Sequence, residues 1–448
     1  MNLTGRCHLW VHLNLKFIKM SLKTTLLFIF LHIILTLNSL AVEKTDKYYY
    51  ENAVYRDEIK SVQLYRVGNE LSNPVIELGS DVKLILKFDE LTEDVKNYSY
   101  TIIHCDVNWN ESFIPQNEYL SENPDNPVSD YAISNNTTIK FVNYQLQIPN
   151  EDCTPKYSGN YALVVFEDNN RENLVLIQRF YVFEPKVRIE GLVKRATFDA
   201  FNGENQEVDF KVINDELKFK NPAEDIKIVL MQNHRWDNAI RNLKPSFIRE
   251  NILEYDYDKE NVFPGGNEFR FFDIRTNRHP GENVGNIQFV RPYYHVSLLP
   301  DAIRSNKKYI PYSEMNGNFV VESQDRVSDV DTECDYEFVH FSLPMESPLV
   351  GSSVNVFGAL TGWNANKTNE MKWNFETARY ELSLLLKQGY YNYQYAYIAQ
   401  NSKKADLVNL EGTYFVTENE YQIFAYYRDQ ASRYDRLVGY VKINSAVK

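Results

Sequence analysis

Short alternating runs of apolar and polar residues dominate the chain, and no long stretch carries the 3.6-residue period of a helix. Val82, Leu84, Leu86 and Phe88 alternate with Lys83, Ile85 and Lys87, which predicts a strand with one buried and one largely wet face. Tyr98–Cys105 and Tyr144–Ile148 read the same way. Ser158-Gly159-Asn160 turns into Tyr161–Phe166, and Asp168-Asn169-Asn170 turns into Leu174–Phe183, so these two runs predict a hairpin. Further strands are expected at Val187–Val193, Glu207–Val212, Ile226–Gln232, Leu253–Tyr257, Phe269–Ile274, Tyr294–Leu299, Tyr336–Leu343 and Val354–Phe357. Tyr380–Leu386 leads through Lys387-Gln388-Gly389 into Tyr390–Ile398, a second hairpin, and Tyr421–Tyr427 is a late strand. In the second hairpin Tyr391, Tyr393, Tyr395 and Tyr397 recur at period two and share one face.

These runs imply an all-β protein of three consecutive Ig-like or β-sandwich modules. The expected divisions are 48–185, 186–325 (with long bracing loops) and 335–442. Pro185 closes the first, and the acidic stretch Ser323–Cys334 is the expected linker before the third. A length of 448 residues supports several such cores. The 32 Tyr and 26 Phe favour strands and supply ample apolar area to bury.

Charge and targeting narrow the function classes. Residues 1–41 contain Arg6, Lys16, Lys19 and Lys23 and no acid; removing them from 48 basic and 61 acidic residues leaves 44 − 61 = −17. Such an acidic chain repels phosphate backbones, so nucleic acid is not an expected partner. The basic positions, the apolar core Leu26–Leu37 and the small residues Ser39-Leu40-Ala41 predict a cleavable export signal over 1–41, with Met20 as the expected true start. In an oxidising compartment Cys105 and Cys153 are either paired or free in the core.

The familiar motifs of catalysis and cofactor binding are missing: no His-Glu-x-x-His, no Gly-x-Ser-x-Gly, no phosphate loop and no Cys-x-x-Cys occur. In His104-Cys105-Asp106 the strand period sends the thiol to the face opposite its neighbours, so a structural role is expected. No cofactor, metal or small-molecule substrate is expected, and the chain does not read as an enzyme; acidic abundance alone keeps a glycoside hydrolase as a remote alternative.

Three clusters stand out. The first is Arg235, Trp236 and Asp237. The second is Phe263, Gly265, Gly266, Phe269, Arg270, Asp273 and Arg275. Each mixes Arg, aromatic and acidic groups, which serve either as interface anchors or as internal braces of a long loop. The third is an aromatic face of Trp363, Trp373, Tyr391, Tyr393 and Tyr395, in a segment similar to the Ig-like modules that accompany glycogen- and starch-acting enzymes. It is either a glycan-stacking surface, which makes a periplasmic carbohydrate-binding protein the alternative reading, or the sandwich core.

The chain also resembles the Plug proteins of the Bacteroidota type IX secretion system over residues 48–440. The resemblance is carried by Tyr50-Glu51-Asn52-Ala53-Val54-Tyr55, Ile59-Lys60-Ser61-Val62-Gln63-Leu64-Tyr65, Lys96–Cys105, Ser158-Gly159-Asn160-Tyr161, Arg235–Ile240, Leu243–Phe247, Phe263–Arg275, Lys387–Tyr395 and Tyr426-Tyr427-Arg428-Asp429. It implies a periplasmic protein, peripheral to the outer membrane, that caps a very large translocon barrel by protein–protein docking. It implies neither catalysis nor a cofactor. Contacts with the barrel and oligomeric state are not set by the sequence.

Overall fold

The computed structural model describes residues 50–120, 123–198, 203–214, 216–217, 219–428 and 432–445. The expected export signal at 1–41 lies outside them. The described chain is all-β, built from six sheets whose adjacent strands run mostly antiparallel.

The first sandwich faces a four-stranded sheet (Ile59–Arg66, Leu84–Glu90, Val142–Ile148, Asp130–Ile133) against a six-stranded one led by Tyr98–Cys105, Gly159–Glu167 and Leu174–Phe183. Leu84, Leu86, Phe88, Ile102, Tyr144 and Leu163 fill the space between them. The predicted hairpin forms, with Phe180 opposite Tyr161.

The six-stranded sheet is covered on its second face as well. Ile103, Val164, Ile177 and Tyr181 meet Val229, Met231, Phe424 and Tyr426 of a sheet made by Ile240–Arg241, Ile226–Gln232, Glu420–Tyr427 and Arg436–Asn444. That sheet in turn packs its other face, through Ile228, Leu230 and Ile423, on Val208 and Phe210 of a sheet containing Arg188–Arg195, Asn205–Ile213 and Ile252–Tyr255. Four sheets therefore stack in sequence. Glu420–Tyr427, buried at every position, lies between two cores and reads as a nearly continuous apolar run for that reason.

The final sandwich pairs a sheet of Arg270–Asp273, Gly389–Ala399, Phe319–Val321 and Ser352–Phe357 with one of Val284–Val290, Tyr293–Leu298, Tyr336–Pro344, Arg379–Lys387 and Lys372–Asn374. Val339, Phe341, Val354, Val356, Tyr391, Tyr393 and Tyr395 form its core.

Sheet membership differs from the expected consecutive modules beyond residue 185. Ile226–Gln232 pairs with Glu420–Tyr427, so the end of the chain returns to the middle unit. Arg270–Asp273 pairs with Gly389–Ala399, and Tyr293–Leu298 pairs in parallel with Tyr336–Pro344. The last sandwich is thus inserted into the middle one and crosses the expected division at 325–335. The expected linker Ser323–Cys334 is itself tied down: Asp331 accepts from Lys87 at 2.6 Å and from Gln145 at 3.0 Å. Its polarity serves these contacts rather than solvation alone.

Candidate functional site

The first cluster lies where the middle unit meets the last sandwich, while Arg270 and Asp273 of the second and the tyrosines of the third lie within the last sandwich. After the strand Ile226–Gln232 the chain turns through Asn233 and His234, both with positive φ. Arg235, buried, then clasps Asp237 with bonds of 3.0 and 2.7 Å and donates to the Ala405 carbonyl at 2.6 Å. The Ala405 amide donates back to Asp237 at 2.8 Å, so the pair ties the middle unit to the last sandwich. Trp236 donates its indole N–H to the Tyr181 hydroxyl at 2.9 Å and packs edge-on to Trp109. The Arg179 guanidinium lies over both indoles, 4.3 Å from the centroid of Trp109 and 5.2 Å from that of Trp236.

The second cluster surrounds a buried carboxylate that no sequence pattern marks, Glu411. Arg270 reaches it with three bonds of 2.9 to 3.2 Å and also donates to Asp301 at 2.8 Å and to the Ala302 carbonyl at 2.7 Å. Arg304 adds a 2.6 Å bond to Glu411, and the Tyr395 amide adds one of 2.8 Å. Burial alone would raise the Glu411 pKa; Arg270 and Arg304 more than offset it, and the carboxylate titrates below its ordinary value. Phe263 and Phe269 are buried, the first against Tyr421 and the second edge-on to Trp363. Gly265 is required by close approach: a Cβ there would fall 2.3 Å from the Tyr414 carbonyl oxygen and 2.6 Å from that of Glu204. Gly266 follows at φ +67°. Asp273 and Arg275 form a bidentate pair at 3.0 and 2.7 Å. These groups are spent on one another, and the buried ones among them offer nothing to a docking partner.

The aromatic face is internal too. Tyr391, Tyr393 and Tyr395 share a face, as their spacing predicts, and that face is the core. Tyr393 and Tyr395 donate to Asp301 at 2.6 and 2.7 Å, and Tyr391 to the Lys387 carbonyl at 2.6 Å. Trp363 and Trp373 are half-buried, Trp363 beside Phe357 and Trp373 beside Tyr380. The tyrosines cannot stack on a sugar ring.

A further polar cluster joins the first sandwich to the last. Asp89 accepts from Lys387 at 2.6 Å, Asn143 at 2.7 Å and Tyr336 at 2.7 Å, with Lys387 and Asp89 side chains only 2% and 1% exposed. Desolvation raises the Asp89 pKa, and Lys387 opposes that rise. The Lys387 ammonium also lies 4.2 Å from the Phe141 centroid.

Groups able to do chemistry are likewise matched to structural partners. His104 bonds Ser112 at 2.8 Å and the Ser158 carbonyl at 3.1 Å, and burial lowers its pKa to about 4. Cys105, Cys153 and Cys334 are free and buried; Cys105 and Cys153 sit in different cores. Glu207, Asp209 and Asp256 bring carboxylate oxygens within 4.8 Å of one another, but the Lys194 ammonium lies among them at 3.0, 2.6 and 3.7 Å. Ser383, His340 and His295, from three different strands, form a row with contacts of 2.7 and 2.9 Å. The two imidazoles are tilted by only 6° with centroids 5.2 Å apart, which with the short N–N contact is an in-plane N–H···N bond. Desolvation and His295 both lower the His340 pKa.

Residues 59–184 match the family described as "Type 9 secretion system plug protein 1st domain". The fold is similar to the crystal structure, at 2.30 Å resolution, of a hypothetical protein from Parabacteroides merdae ATCC 43184. The TM-score is 0.86 at 36% identity, over 89% of this chain and 100% of that one. No curated protein matches the chain.

Proposed function

Because the chain belongs to the type 9 secretion system plug protein family, we propose that it is a periplasmic cap that docks on that system's outer-membrane translocon barrel and seals its pore. A role in type IX secretion follows from the family; capping, the barrel partner, the compartment and the absence of catalysis are the proposal. A stopper works by shape. A folded body wider than an extended chain blocks a water-filled lumen, provided that the body does not deform. The observation that carries this reading is that the joints between sandwiches are locked by buried polar pairs, Asp89–Lys387 and Arg235–Asp237 with the Ala405 backbone, while Arg270–Glu411–Arg304 braces the last sandwich from within.

The buried anchors do not contact the barrel in this reading; exposed surface does. Surface charge sets the encounter rate, and the acidic surface favours a basic rim. Affinity purification of the tagged protein from native outer membranes tests the partnership. A very large barrel should co-purify in stoichiometric amount. Recovery of the tagged protein free of any barrel, under conditions that leave the barrel intact, contradicts the reading.

A further inference from the structure

Two histidines face each other on the outer surface of the last sandwich. His295 and His340 come from Tyr293–Leu298 and Tyr336–Pro344, neighbouring interior strands of its five-stranded sheet, and both are half-buried. Sheet register puts them on one face. His295 stands opposite Phe338, two residues before His340, and His340 stands opposite Ser297 and Ser383. His295 Nδ1 and His340 Nε2 are 2.9 Å apart and share one proton. Each ring has a second contact that fixes it. His340 Nδ1 bonds the Ser383 hydroxyl at 2.7 Å, and Phe338 stacks on the His295 ring with centroids 5.3 Å apart. Gln288, paired with His295, and Ser297 and Ser383, paired with His340, are exposed and uncharged. No Lys or Arg occupies a position paired with either imidazole. A bond between two neutral groups at a wet surface adds little net stability, so bracing alone is a weak use for the pair.

We propose that His295 and His340 form an open site for a divalent transition-metal ion, with Cu²⁺ bound most tightly. Imidazole nitrogens sit about 2.0–2.1 Å from such an ion. Two of them at right angles around it, the tetragonal arrangement that Cu²⁺ favours, are about 2.9 Å apart. That spacing is already present. The rings now point head-on, so each tilts toward solvent for its lone pair to meet the ion. The shared proton moves to the far nitrogen of the ring that carries it, and both imidazoles stay neutral. On His340 that far nitrogen is the one held by Ser383, an outer hydrogen bond of the kind metal-bound histidines make. Burial, with His295 adding to it, lowers the His340 pKa and keeps its lone pair available at neutral pH. Water fills the remaining positions on the ion. The ligands sit on interior strands, so the backbone holds their spacing, and the net negative chain attracts the cation.

Calorimetric titration of CuSO₄ into the protein, purified after export and stripped of metal with a chelator, tests this. One Cu²⁺ should bind per chain with micromolar affinity, and pulsed electron paramagnetic resonance should show two imidazole nitrogens on the ion. Ni²⁺ and Zn²⁺ should bind more weakly and compete for the same place. His295→Gln and His340→Gln should each weaken Cu²⁺ binding at least about tenfold, and Ser383→Ala several-fold. His279→Gln, at an exposed position elsewhere, should leave it unchanged. Melting curves show whether each variant folds, and the nitrogen count on the wild-type protein decides the question without them. No binding below about 1 mM Cu²⁺, fewer than two imidazole nitrogens on the bound ion, or an affinity indifferent to both histidine changes overturns the proposal.

Discussion

The first sandwich is held to its two neighbours in opposite ways. Toward the middle unit it offers an apolar sheet face, where Ile103, Val164 and Tyr181 meet Val229 and Phe424. Toward the last sandwich it offers polar groups: Asp89 to Lys387, Lys87 to Asp331, Ser61 to the Tyr336 hydroxyl at 2.7 Å, and Gln63 to the Phe319 carbonyl at 3.2 Å. The apolar joint is non-directional and stabilised by area removed from water. The polar joint is directional: its net stabilisation is small, but losing one partner strands the other in a dry site. Area therefore holds the stack of four sheets together, while the orientation of the inserted sandwich is set by matched charges.

Breaking the polar joint on one side should have the largest effect. Lys387→Met leaves Asp89 buried without its cation and should cost about 3 to 5 kcal/mol in urea unfolding. The double variant Asp89→Leu/Lys387→Met should be less destabilised than the single one; equal or greater loss would mean that the pair is not the source. In the apolar joint a sharp probe is a buried hydroxyl bond, which Tyr426 donates to Asn160 at 2.6 Å. Tyr426→Phe should cost about 1 to 3 kcal/mol, since the Asn160 oxygen loses that donor. A third effect depends on pH and accumulates across a window of it. Burial, with Asp335 adding to it, raises Glu337 from 4.5 to about 8. Between those values the unfolded chain has released a proton that the folded chain keeps, so stability falls as pH rises through that window. Glu337→Gln should remove about 1.4 kcal/mol of that loss per pH unit. Thermal melts at pH 5 and pH 8 read it directly: wild type and variant should diverge toward pH 8.

Local pattern predicted local structure well, and long-range pairing poorly. The alternation at Leu84–Phe88 and the tyrosine spacing at 391–395 each placed a buried face, because a strand's period is fixed by the backbone. The return of Glu420–Tyr427 to Ile226–Gln232 left no local mark, since a strand buried on both faces loses the alternation that signals orientation. Ser323–Cys334 looked like a linker because polar residues that bond across a joint have the same composition as polar residues in water. The arginine and aromatic clusters were visible, but the acid that organises one of them, Glu411, was not. Nor was the Ser383–His340–His295 row, whose members come together only through sheet register.

The central claim is that a braced body closes a pore. Its most direct test is the ionic conductance of the purified translocon barrel in a planar bilayer, with this protein added to the periplasmic side. The account predicts a saturable fall toward the conductance of bare lipid, reversed when the protein is washed away. Conductance unchanged by saturating protein, with binding to the barrel shown in parallel, would contradict it.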